Sequence, residues 1–258
     1  MNEQRWNVAL QAARNAAAAA AEVIRYYWQR GVEVEIKSDA TPVTIADREA
    51  EKAIRAVLTA ALPDAAIYGE EFGLDGDRDG LLWLVDPLDG TKSFVRRTPF
   101  FSTQIALMHQ GELVLGVSSA PIYGETMWAS VGGGAWLDGE RVHVAQTADM
   151  SQASLSIGNV KTMTGDARWQ ALGAMIRDSN RIRGYGDFCH YHLLARGSLD
   201  LVIESDLNIL DIAALAVIVR EAGGVFTDMD GQPPTLETRS VLAGTPAIHA
   251  QALKRLAL

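Results

Sequence analysis

The chain has 258 residues, 48% of them hydrophobic and 21% charged, and 23 Lys+Arg against 32 Asp+Glu leave a formal net charge of −9. This length suits one large domain or two small ones sharing a core, and the composition excludes disordered and fibrous classes. The acidic balance makes a poor general binder of phosphate backbone, which argues against nucleic acid, and the single Cys189 excludes an intramolecular disulfide and a Cys-built metal site.

Residues 4–29 read as one long helix, because Ala is the strongest helix former and nothing breaks the run before Gly31. The Ala-rich stretch 16–21 is bracketed by Arg14, Glu22 and Arg25, so it reads as helix and not as a membrane span. No basic region followed by an apolar one is seen at the start, and a lone cysteine fits a reducing compartment, so a cytoplasmic protein is expected. Residues 32–36 alternate apolar and acidic side chains, as a strand with one wet face does. Residues 37–42 are a loop by composition. A helix over 46–61 follows, entered by a Thr44-x-x-Asp47 capping pair and ended by Pro63.

Residues 66–68 and 81–85 read as short buried strands, and 73–80, rich in Gly and Asp, as a mobile loop. Two β-rich runs span 101–127, hinged at His109-Gln110-Gly111-Glu112. A Gly132-Gly133-Gly134 turn and the hairpin dipeptide Asp138-Gly139 continue the pattern, so the middle of the chain is predicted antiparallel. Beyond residue 150 the elements alternate: strand 155–157, helix 167–177, strand 181–183, helix 187–195, strand 199–203, helix 209–222, strands 225–228 and 241–243, helix 247–256. The expectation is mixed α and β in layers, with a soft boundary near 145–152.

The most informative stretch is Asp86-Pro87-Leu88-Asp89-Gly90-Thr91. A buried strand delivers Asp86 at its end, Pro87 fixes a turn to Asp89, and Gly90-Thr91 opens a short helix. Carboxylates bind hard cations and helix N–H groups bind phosphate oxygens, so the two together suit a metal-bridged phosphate. Taken alone, Asp89-Gly90 is also an ordinary turn, Glu70-Glu71 a solvated pair after a strand, and Asp47 a helix-start acid. Asp211, in the apolar helix start Leu210-Asp211-Ile212-Ala213-Ala214, is either such an acid or a partly buried carboxylate wanting a cation. The five histidines form no triad pattern. His190 and His192, two apart on a helix, point away from each other and read as ordinary helix residues, and Cys189 as inert core.

These pieces occur in one order: Asp39-Ala40-Thr41-Pro42-Val43-Thr44-Ile45-Ala46-Asp47, Gly69-Glu70-Glu71, Asp86 to Phe94, then Leu210 to Ala214 with Glu221-Ala222-Gly223-Gly224. In this the sequence resembles the inositol monophosphatase-like family of Mg²⁺-dependent, lithium-sensitive phosphatases, over nearly the whole chain. Residues 90–96, the run Arg183-Gly184-Tyr185-Gly186-Asp187-Phe188 and the run Leu207-Asn208-Ile209-Leu210-Asp211 are most similar to its histidinol-phosphatase branch. Leu210 departs from the Trp that many members carry there, which weakens a plain inositol phosphatase reading.

The resemblance implies an α+β fold, a layered αβαβα sandwich of the inositol monophosphatase and fructose-1,6-bisphosphatase type. It implies an N-terminal subdomain over 1–148, a C-terminal one over 149–258 and a homodimer. It also implies two to three Mg²⁺ ions held by Glu70, Asp86, the Leu88 carbonyl, Asp89 and Asp211, with phosphate on the N–H groups of Gly90 and Thr91. Thr91, hydrogen-bonded to Asp47, would orient the attacking water, with Glu70 close to the reaction. On the alcohol side of a small phosphorylated metabolite the resemblance points to Glu204, with Asp187 and Asp206 nearby; Asp89 would be a further substrate contact, and Lys92 and Arg183 would instead meet the phosphate or screen the acids. Acids there would favour the ammonium and imidazole of L-histidinol phosphate over the hydroxyls of inositol-1-phosphate or another small sugar or nucleotide phosphate. A regulatory protein using the same fold to bind a partner is the other class of reading.

Overall fold

The structure, a computed structural model, describes residues 3–31, 34–36 and 42–257. The expected loop over 37–42, the first part of the Asp39-to-Asp47 motif and the start of the 32–36 strand thus fall wholly or mostly outside the described residues. The first helix, α1 (Glu3–Arg30), is followed by the paired strands β1 (Val34–Ile36) and β2 (Pro42–Thr44), then α2 (Ile45–Ala61). Next come β3 (Ala66–Gly69), β4 (Gly73–Asp75), β5 (Leu81–Asp89), the five-residue α3 (Thr91–Val95), β6 (Ser102–His109), β7 (Glu112–Ala120), β8 (Glu125–Ser130), β9 (Gly134–Leu137) and β10 (Glu140–Val142). The remainder comprises β11 (Ser154–Ile157), α4 (Val160–Met163), α5 (Trp169–Asp178), β12 (Arg181–Arg183), α6 (Asp187–Ala195), β13 (Leu201–Ser205), α7 (Ile209–Glu221), β14 (Val225–Thr227), β15 (Ser240–Gly244) and α8 (Pro246–Leu256).

Two sheets carry the fold. The first has eight strands in the order β10-β9-β8-β7-β6-β5-β3-β4, antiparallel except for the β3–β5 pair. The second has five in the order β12-β11-β13-β15-β14, parallel only around β11. Every strand of the first sheet precedes residue 143 and every strand of the second follows 153. The predicted antiparallel middle is found, hairpins included. Residues 73–80, expected to be a mobile loop, instead begin with β4, which pairs with β3 through Ile67↔Asp75.

Side-chain alternation sets the layers. Along β5, Leu81, Trp83 and Val85 face one way and Leu82 and Leu84 the other, and all five are buried. The first set meets the Ala stripe of α1 (Ala9, Ala13, Ala16, Ala20) and the apolar face of α2. Alanines at this spacing let two helices and a sheet approach closely. The second set meets α6 and α7, whose far side packs on Val202, Phe226 and Val241 of the second sheet. That sheet's outer face is closed by α5 and α8 through Leu172, Met175, Ile248 and Ala252. The sequence of layers is therefore helix, sheet, helix, sheet, helix. α7 lies between two sheets and is apolar on every side, as a helix without a wet face must be. No described helix is long and apolar enough to cross a membrane.

Candidate metal and phosphate site

The site is built where β5 leaves the first sheet. Its pairing with β6 is regular as far as Asp86↔Gln104 and resumes at Asp89↔Ser102, so three steps on one strand match two on the other. This bulge decides the chemistry. In an unbroken strand, residues three apart point to opposite faces; one extra residue brings Asp86 and Asp89 to the same face. The expected turn at Pro87 is thus a bulge inside a longer strand, a place that tolerates a proline. Leu88 N–H donates to Asp86 Oδ1 (2.9 Å), and the Thr103 hydroxyl donates to the Pro87 carbonyl (2.8 Å), which hold the bulge.

Gly90 follows with φ 91°, and a Cβ there would lie 2.7 Å from the Phe100 carbonyl oxygen, so only glycine makes this turn into α3. Thr91, the first residue of α3, places its hydroxyl 2.9 Å from Asp47 Oδ1 and 3.1 Å from the Leu88 carbonyl. Asp47 is fixed by the predicted capping box: the Thr44 N–H (2.8 Å) and hydroxyl (2.6 Å) both donate to its Oδ2. Burial pushes the Asp47 carboxyl above its ordinary range, against the pull of the Thr44 and Thr91 hydrogen bonds.

Asp211 arrives from the other layer, in the first turn of α7. A second capping box holds it, with Asn208 N–H donating to its Oδ2 (2.9 Å) and Leu210 N–H to Asn208 Oδ1 (2.7 Å). Asp86, Asp89 and Asp211 each bring an oxygen within 4.8 Å of the other two. Glu70 stands at the exposed rim beyond β3, where its N–H donates to the Val85 carbonyl (3.1 Å). Its carboxylate is close enough to Asp86 to help raise it.

The electrostatics of this cluster call for a cation. Burial, then the charges of Glu70, Asp89 and Asp211, drive Asp86 well above the usual carboxylate range. Burial, then Asp187, Asp211 and Glu204, do the same to Asp89. Asp211 rises to about 7, through burial, although the Asn208 N–H pulls it down. Buried like charges without compensation either take up protons or bind metal. An all-oxygen donor set of carboxylates with the Leu88 carbonyl beside them fits a hard divalent cation.

Next to the cluster is a pocket lined by Asp89, Asp187, Glu204, Asp206 and Asp211, with Asn159 and Tyr191 beside them. Asp187 is raised to about 6, mainly by burial and then by Glu204, while His190 and Lys92 pull it down. Lys92 is exposed on α3. Arg183 does not line the pocket: it is exposed at the end of β12 with its guanidinium on the Ile182 carbonyl. Glu204 is not a solvated strand end, because β13 runs on to Ser205 and leaves Glu204 only 6% exposed. The Tyr191 hydroxyl donates to its Oε2 (2.8 Å), and His190 Nε2 lies 3.0 Å from the same oxygen.

Sequence reasoning passed over His190, Tyr191 and Asn159. No spacing rule joins residue 190 to residue 204, since the pairing of α6 with β13 brings them together. His190 and His192 do point apart, as expected, yet both are fully buried and hydrogen-bonded. His192 reaches Ser118 Oγ (2.8 Å), Gln104 Nε2 donates to Ser118 (3.0 Å) and Ser102 (2.7 Å), and Ser102 donates to Asp89 Oδ2 (3.4 Å). Asp89 is thereby braced from behind by a buried polar chain.

Comparison with known proteins adds a second line. The chain matches the inositol monophosphatase family over residues 6–257. It is 41% identical to a histidinol-phosphatase of Streptomyces coelicolor over 78% of this chain and 79% of the relative. It is 34% identical to an inositol-1-monophosphatase of Caulobacter vibrioides over 87% of this chain and 91% of that one. Among solved structures it superimposes on extragenic suppressor protein suhB of Bartonella henselae with a TM-score of 0.86 and 31% identity, covering 97% of each chain.

Proposed function

The chain belongs to the inositol monophosphatase family and is a phosphatase of that family, and from that premise we propose that it is a Mg²⁺-dependent phosphomonoesterase converting L-histidinol phosphate to L-histidinol and phosphate in histidine biosynthesis. The observation that carries the substrate choice is the pocket lining. Of its five carboxylates, Asp89 and Asp211 would be compensated by metal, which leaves Asp187, Glu204 and Asp206 facing the leaving alcohol. Such a lining suits an ammonium and an imidazole and offers inositol hydroxyls no matching gain. The higher identity to a histidinol-phosphatase points the same way.

In this reading Asp86, Asp89, Asp211, Glu70 and the Leu88 carbonyl hold Mg²⁺. Bound there, the ions supply Lewis-acid charge to the phosphoryl oxygens and to the attacking water. The chain's own groups do the rest. Thr44 occupies Asp47 Oδ2, so Asp47 turns Oδ1 to the Thr91 hydroxyl. Thr91 Oγ1 then accepts the water's proton as its own passes to Asp47, whose raised proton affinity suits that role, and the departing alcohol oxygen takes up a proton from water. The Gly90 and Thr91 N–H groups take the phosphate, in keeping with amides at a helix start. Glu204, locked by Tyr191 and His190, and Asp187 orient the cationic end of the alcohol. The reading includes a homodimer by likeness to the family, a cytoplasmic site of action in keeping with a lone cysteine, and subdomains meeting near residue 148, where the pattern of elements changes.

The test is phosphate release with Mg²⁺ from L-histidinol phosphate and inositol-1-phosphate side by side. A higher kcat/KM on histidinol phosphate is expected, with Asp187→Asn raising KM on that substrate more than on the inositol ester. Equal or better turnover of inositol-1-phosphate overturns the assignment.

A further inference from the structure

Glu51 is a carboxylate with no place in the mechanism above, and it is 0% exposed. A buried acid so near an anionic cluster is unfavourable unless its bonds compensate. Two of its bonds run to one short segment, and the third is to Arg55, which reaches the same segment. Glu51 Oε2 accepts the Glu71 N–H at 2.7 Å, and Oε1 accepts the Phe72 N–H at a long 3.4 Å. Arg55, one helical turn on, donates Nε to Glu51 Oε1 (2.8 Å) and Nη2 to the Gly73 carbonyl (2.7 Å). The pair thus grips the β3–β4 turn from residue 71 to residue 73.

Glu70 sits inside that grip. Its own N–H is tied to Val85, the residue before Asp86, and the next N–H is tied to Glu51. With the amides on both sides of its Cα anchored, Glu70 has little backbone freedom. Gly69 completes the arrangement: a Cβ there would lie 2.0 Å from Glu51 Oε1. Only a glycine lets the carboxylate come so close to the strand end.

We propose that Glu51 is a positioning residue for metal binding, which holds the turn so that Glu70 is presented to the Asp86–Asp89–Asp211 cluster. The proposal rests on the reading of Glu70 as a metal ligand. Groups that orient ligands from behind typically change metal affinity by about 10–100-fold when removed. The role is separable from general stability, because it acts through one ligand and one turn.

The test compares four proteins: wild type, Glu51→Gln, Gly69→Ala and Glu70→Gln. Gly69→Ala attacks the same contact from its other side, without altering a charge. Each protein is stripped of metal, and its unfolding midpoint and its Mg²⁺ affinity by calorimetric titration are measured, followed by the Mg²⁺ half-saturation and kcat of phosphate release. Glu51→Gln and Gly69→Ala are expected to weaken Mg²⁺ binding about tenfold or more, with the larger change in half-saturation and the smaller in kcat. If Glu70→Gln loses affinity while both other variants bind as wild type does, Glu51 has no positioning role and the ligand reading stands. If Glu70→Gln itself binds Mg²⁺ normally, the ligand reading fails and takes the proposal with it. A variant whose metal-free form unfolds far below wild type and whose Mg²⁺ affinity is unchanged once folded marks a purely structural role and also overturns it.

Discussion

Asp86 is 2% exposed, and its charge is opposed by burial and by three neighbouring carboxylates. Asp86→Asn should therefore separate function from stability. It removes the most buried member of the proposed metal-ligand cluster, so Mg²⁺-dependent phosphate release should fall by more than about a hundredfold, beyond what a supporting group costs. It also removes a buried like charge, so the metal-free protein should melt no lower than wild type. A variant with normal turnover at saturating Mg²⁺ sinks the ligand assignment. Asp47 was legible as a capping acid from Thr44-x-x-Asp47 alone. Its second contact, Oδ1 to Thr91, crosses from α2 to α3 and was implied only by family likeness. Glu204 was picked out by family resemblance, but its two hydrogen-bond partners lie on a different element.

Among the elements, α2 and α7 do the same job in different layers. Each begins with a capping box whose third residue is a site carboxylate, Asp47 in α2 and Asp211 in α7. The N-cap therefore sets both the helix start and the aim of the acid. Thr44→Ala should cost about 1 kcal/mol of stability, the usual price of losing an N-cap side chain. It should also lower kcat at saturating Mg²⁺, because Asp47 Oδ2 loses the Thr44 hydroxyl. Denaturant unfolding and steady-state kinetics on one preparation check both; a stability loss with unchanged kcat would separate the cap from the site. The element that sequence reading rendered least well is β5. Its alternation ends at Val85 on paper, since Asp86, Pro87 and Asp89 look like turn residues, whereas pairing with β6 carries the strand on through a bulge. The short α4 and the strand β4 were missed for a similar reason: each is held by tertiary neighbours and has little local propensity of its own.

Across the molecule, the site lies where the first sheet, α2 and α7 meet, and its acids give the metal-free protein a pH-dependent stability. Asp211 has a folded value of about 7 against an ordinary 3.8, and Asp86 and Asp89 are also raised. The folded chain then binds more protons than the unfolded chain, so stability is lost as pH rises through the folded values. His192 and His249 are lowered from 6.5 by burial and act in the opposite sense below that value, so the clean window lies above it. The melting temperature in chelator should fall from about pH 6.5 to about pH 8, and added Mg²⁺ should restore most of the loss at the upper end. A flat or rising profile in chelator would mean that burial and neighbouring charge do not raise Asp86, Asp89 and Asp211 in the folded chain.

By itself the sequence determined what depends on neighbours within a few residues: the long Ala-rich helix, the antiparallel middle, the Thr44–Asp47 capping pair, and the acid motifs in their order. Helix propensity, caps and hairpin dipeptides act over one turn or less, so they can be read from a string of residues. The tertiary structure decided which acids share a face. Glu70, Asp86 and Asp211 come from three elements far apart in the chain, and they meet only because β3 pairs with β5 and α7 packs between two sheets. The bulge, the His190–Glu204 contact and the Glu51 grip on the Glu70 turn have the same origin. Each is a relation between strands or layers that forms only once the core is buried, and no spacing along the chain encodes it.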